Sequence, residues 1–77
     1  MITKEEYMQM KDKVRAYARS RNYAPVQINL LEDMLDMMLE EYNWKSIQKS
    51  FSSPRVARWT REQLVNAGVE GAKLIEP

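Results

Sequence analysis

Arg55, Arg58 and Arg61 recur every three residues in the segment SPRVARWTREQ, and Lys45 and Lys49 precede them four residues apart. At helical spacing such residues share a face. Guanidinium groups on one face bind phosphate oxygens or the edge of guanine, and ammonium groups add attraction to a nucleic-acid backbone. Residues 43–68 hold five bases against one acid, Glu62. The chemistry on offer is anion recognition, and these five residues are the candidate nucleic-acid-binding set.

Catalysis finds much less to work with. The chain has no cysteine and no histidine, so thiol nucleophiles, imidazole bases, disulfides and the usual zinc ligands are excluded. Its two glycines, Gly68 and Gly71, are too few and too late to cradle a phosphate. Glu32, Asp36 and Glu40 fall four apart on one helical face, but a hard cation takes six or more oxygens, mostly from a loop folded around it. These acids read as a solvated face that keeps the helix soluble, or that pairs with Lys11, Arg15 and Arg19. No catalytic residue, metal or cofactor is expected, and the chain is not read as an enzyme.

The elements that position the bases follow from periodicity and capping. Asn43 caps a short helix with Trp44, Ile47 and Phe51 on one side. Ser52 and Ser53 interrupt it, and Ser53-Pro54 restarts a helix with a capping hydroxyl followed by proline in the first turn. Val56, Trp59, Leu64 and Ala67 are its expected inward face, with Thr60 and Gln63 at the edges and Gly68 at its end. Two helices joined in this way form a helix-turn-helix-like pair. Two features depart from the usual pattern: the turn is only two serines long, and it lacks an apolar residue.

Ahead of this pair the sequence predicts two longer helices. Thr3 and Glu6 form a capping box, and Tyr7, Met10, Val14, Tyr17 and Ala18 make one apolar face that ends near Asn22. Pro25 opens the second, which runs to about Tyr42. Its apolar residues, from Ile28 to Tyr42, sweep about 200°, twice the usual stripe. Such a helix must be central to the fold, to a dimer, or to both, and Leu30, Met34 and Met37 are the candidate partner or dimer interface. Trp44 and Trp59 are expected in the core. The tail, residues 69–77, is left unassigned, with Val69, Leu74 and Ile75 either packing back or joining an interface.

The 77 residues therefore make one domain, 1–77, with an all-α, four-helix fold. Charge is unevenly spread: residues 1–23 carry +3, residues 24–43 carry −5 and residues 44–77 carry +3. The opening MITKEEYMQM lacks the apolar run of a secretory leader, and no stretch reaches the ~20 apolar residues of a membrane span, so a cytoplasmic protein is expected. The leading expectation is a small, dimeric DNA-binding regulator whose partner is double-stranded DNA. The alternative is an adaptor or inhibitor, of the kind mobile elements carry, docking its Met/Leu or arginine surface on a larger protein.

Overall fold

Thr3 starts the first helix through side-chain chemistry within one turn. Its hydroxyl accepts the Glu6 N–H at 3.1 Å, and the Glu6 carboxylate accepts the Thr3 N–H at 3.4 Å. The computed structural model describes residues 3–75. They form α1 (Lys4–Ser20), α2 (Pro25–Leu39), α3 (Trp44–Lys49) and α4 (Pro54–Asn66), then a short 3-10 helix, Glu70–Leu74. No strand occurs among the described residues. The end of the tail, Glu76 and Pro77, lies outside them.

Pro25 begins α2, where its missing N–H leaves no bond unmade. Gln27 Oε1 accepts the Ala24 N–H at 2.8 Å, supplying half of a capping box that Ala24 cannot complete. Leu31, Met34, Leu35 and Met38 then form a buried ridge. α1 covers one side of that ridge with Val14 and Ala18, and α4 covers another with Ala57 and Leu64. Trp44 and Ile47 of α3 and Val69 and Ala72 of the tail complete the core. Tyr7 bonds Asp36 while Arg15 bonds Glu32, so α1 and α2 run in opposite senses. The radius of gyration, 11.3 Å, matches the roughly 11.5 Å expected of a compact chain this long.

Three helices end on one device. Asn22 (φ 55°), Glu41 (φ 62°) and Gly68 (φ 91°) each take the left-handed conformation. The N–H of the next residue then turns back to the preceding helix: Tyr23 to Ala18 O, Tyr42 to Met37 O and Val69 to Leu64 O. This is the Schellman arrangement, with an apolar residue following each reversal. Asn22 and Gly68 suit it. Glu41 does not, because a β-carbon in this conformation costs about 1–2 kcal/mol. The reversal there stops α2 at Leu39 rather than near Tyr42, and the Tyr42 ring stands 46% exposed off the helix.

One further expectation changes, and one open reading is resolved. Trp44 is buried, but Trp59 is only partly so, because it packs on the flank of the bundle rather than in its centre. The tail, left open by the sequence, packs back at its start: Val69 and Ala72 are enclosed, Leu74 is not, and Gly71 lies so close to α2 that a β-carbon there would come 3.0 Å from Met38 Cε.

Replacing Glu41 with glycine should remove strain and an unfavourable charge at a helix C-terminus. The expected gain is about 1 kcal/mol, or roughly 4–8 °C in melting temperature for a domain of this size. Thermal melting followed by circular dichroism measures it, and an unchanged or lower midpoint would refute strain at this position.

Candidate nucleic-acid interface

Asn43 and Ser53 set the two helices that carry the bases. Asn43 Oδ1 accepts the Ser46 N–H at 2.8 Å, and Ser53 Oγ accepts the Val56 N–H at 3.2 Å. Both caps stand where the sequence placed them. The connection between the helices differs from expectation. α3 ends at Lys49, so residues 50–53 lie between the helices, and Phe51 within that turn packs partly buried against the core. Both departures from the usual helix-turn-helix pattern disappear: the turn is four residues long and contains an apolar anchor.

α4 presents a different inward face from the expected one. Ala57, Thr60 and Leu64 are buried, whereas Val56, Trp59 and Ala67 are only partly covered. Small residues at 57 and 60 let α4 approach α2 closely, and an indole could not occupy that contact. Trp59 instead packs on Tyr23, with ring centroids 5.5 Å apart. Thr60 is fully enclosed, and its hydroxyl donates to Val56 O at 2.8 Å, so its buried polar atom is paired.

This rotation decides where each base lies. Arg55 and Arg58 are exposed on the outward face, and neither forms an ion pair among the described residues. Lys45 and Lys49 are exposed on α3. Arg61 departs from the outward trio expected of it. It reaches the margin of the buried face, where Nε donates to Ile75 O at 2.9 Å and Nη2 to Lys73 O at 3.4 Å. Its guanidinium fork is committed to the tail. Glu62 shares the outward face, one turn from Arg58, without approaching it within 4 Å. Asn66 extends the same face at the 55-58-62-66 spacing and is exposed. Its place was visible in the periodicity, although it carries no charge to draw attention.

The acids of α2 are turned elsewhere. Glu32 pairs with Arg15 at 3.0 Å, and Asp36 accepts the Tyr7 hydroxyl. That hydrogen bond is the main reason the Tyr7 phenol is pushed up to about 12, with burial adding to it. Lys11 lies 5.8 Å from the centre of the Tyr7 ring. No group of acids that could hold a metal occurs among the described residues. On the other side of α1, the Tyr17 and Tyr23 hydroxyls both donate to Gln63 Oε1, at 2.7 and 2.9 Å, and lock α4 to the end of α1. Burial, with the adjacent Tyr17 hydroxyl adding to it, raises the Tyr23 phenol. Gln63 read only as an edge position from sequence, because both of its partners lie forty or more residues away.

The candidate partner residues of α2 divide. Met34 is fully enclosed by the chain's own core and offers no surface, since α1 and α4 cover it; Leu30 and Met37 remain partly exposed. Compared with family models, curated proteins and solved structures, the chain matches none.

Tyr7 gives this charge arrangement a measurable signature. A phenol raised from 10 to about 12 in the folded state contributes stability that is fully present below pH 10 and is lost as pH rises through 12. Tyrosinate absorbance should show Tyr7 titrating beyond the ordinary phenol range, and the unfolding free energy should fall across that window. Asp36→Asn should bring the phenol back toward 10 and flatten the fall. A Tyr7 titration unmoved by this variant would contradict the assigned cause.

Proposed function

We propose that this chain is a small DNA-binding regulator that lays the outward face of α4 against double-stranded DNA, with α3 supporting it. The observation that carries this reading is the exposure of Arg55 and Arg58 at helical spacing with no acid bound to either, while Glu32 and Asp36 of α2 are engaged by α1. The four-residue turn with Phe51 packed inward supports the same reading. Lys45 and Lys49 extend the positive surface along α3 and are the natural contacts to the phosphate backbone. Arg55 and Arg58 are placed to touch phosphates or base edges, with Asn66 further along the face. Arg61 serves the tail and not the ligand. The protein-docking alternative has less support on α2, where Met34 and Met38 are core residues.

Each neutralised phosphate releases counterions, so affinity measures the number of contacts through its salt dependence. Four contacts, from Lys45, Lys49, Arg55 and Arg58, give a log–log slope of about −3.6 and a loss of about 10²-fold between roughly 50 and 200 mM salt. Arg58→Ala should flatten the slope by about 0.9 if it meets a phosphate, or lower affinity for one sequence by about 1–3 kcal/mol if it reads a guanine. Arg61→Ala should leave the slope unchanged. Fluorescence anisotropy with labelled duplexes measures all three, and no binding at about 50 mM salt with micromolar protein would overturn the proposal.

A further inference from the structure

An apolar cleft of about 440 Å³ opens where α2 passes into α3, lined by Tyr42, Asn43, Trp44, Lys45, Leu74 and Ile75. Leu74 is 82% exposed, the highest exposure of any large apolar residue described. It is not a loose end. Arg61 bonds the carbonyls of Lys73 and Ile75, the residues on either side of it, so the backbone that carries Leu74 is pinned at both neighbours. A leucine held outward in this way is an anchor whose ordering cost has already been met.

The charges around the cleft are of both signs and lack partners. Glu40 and Glu41 lead directly into Tyr42, and Lys45 lies in the cleft wall; none of the three forms an ion pair among the described residues. Glu41 is also the residue least suited to its place: a non-glycine in the left-handed conformation, and an acid at a helix C-terminus with no base in the last turn. Local conflict of this kind marks positions kept for a purpose other than folding.

We propose that this surface is where two copies of the chain associate about a two-fold axis, Leu74 of each seated in the cleft of the other and Glu41 of each facing Lys45 of the other. A two-fold contact requires one patch to complement itself. This patch carries a knob beside a hole and an acid beside a base. A partner of a single charge would satisfy only half of it. A standard interface takes about 800 Å² from each partner, roughly 15% of the 5192 Å² this chain exposes. The cleft and its rim are smaller than that, so the dimer belongs with weak, transient associations. Self-association through the tail differs from association through Leu30 and Met37, and it does not rest on the nucleic-acid reading: in the dimer Lys45 is withdrawn from the phosphate contacts, which the micromolar binding measurement counts on the monomer.

Sedimentation equilibrium of the full chain, from about 10 µM to 1 mM, tests the proposal without nucleic acid present. The wild type should pass from monomer to dimer over that range. Leu74→Glu should remain monomeric throughout with an unchanged melting temperature, since the side chain is solvent-exposed in the monomer. Glu41→Lys and Lys45→Glu should each weaken association at least tenfold, and the double exchange should recover it. Glu41→Gly should weaken association while the monomer melts higher, a split that a merely structural role would not produce. A wild type monomeric at 1 mM would overturn the proposal. So would a dimer indifferent to Leu74→Glu, or one separated by Leu30→Glu instead.

Discussion

The buried ridge of α2 is the constraint on which the rest of the domain depends. A chain of 77 residues with no cysteine or histidine has neither covalent nor zinc cross-links to offset a small core. Leu31, Met34, Leu35 and Met38 must therefore be covered on several sides at once. α1, α4 and the tail do this by bringing small residues to the contact: Ala18, Ala57 and Ala72 are all fully enclosed. Close approach then dictates the remaining geometry. It turns the Trp59 indole to the flank, where it packs on Tyr23, and it brings Arg61 within reach of the last turn.

Charge is sorted by the same packing. α2 offers Glu32 and Asp36 to α1, where Arg15 and the Tyr7 hydroxyl take them up. The bases of α3 and α4 form no ion pair among the described residues, although Glu62 shares the face of Arg55 and Arg58. The uneven charge blocks of the sequence are thus partly internal pairing and partly separate faces. Arg61 shows that spacing alone does not assign a role. Three arginines recur every three residues, yet two face solvent and the third holds backbone carbonyls.

Helix starts were legible in the sequence because capping is local. Thr3 with Glu6, Pro25, Asn43 and Ser53 with Pro54 each act over three residues, and each starts a helix where expected. Asn22 and Gly68 marked helix ends for the same reason. Glu41 was opaque, since nothing in glutamate favours the left-handed conformation, and α2 was read three residues too long. The inward face of α4 was read in a neighbouring arc, because choosing Ala57 over Trp59 depends on the shape of α2 and not on α4 itself. Phe51 was assigned to α3 from its spacing, and only the short helix reveals it as part of the turn. The bonds from Arg61 to the tail and from the tyrosines to Gln63 join residues far apart in sequence, where no pattern announces them. Of the candidate interface, Lys45, Lys49, Arg55 and Arg58 lie exposed, while Arg61 and Met34 have other duties.

The methionines give the domain a built-in chemical gauge of its own opening. Met8 is 53% exposed on α1, whereas Met34 is completely enclosed and Met38 nearly so. Oxidants convert an accessible thioether to a polar sulfoxide. In the closed domain the reagent meets Met8 freely and reaches Met34 only when the bundle separates. The ratio of the two modification rates therefore reports the fraction of time the core is open. Once modified, Met34 would bring a polar sulfoxide back to a site with no space or partner for it. A brief opening would then become a lasting one, and oxidation would act as a ratchet on the folded population.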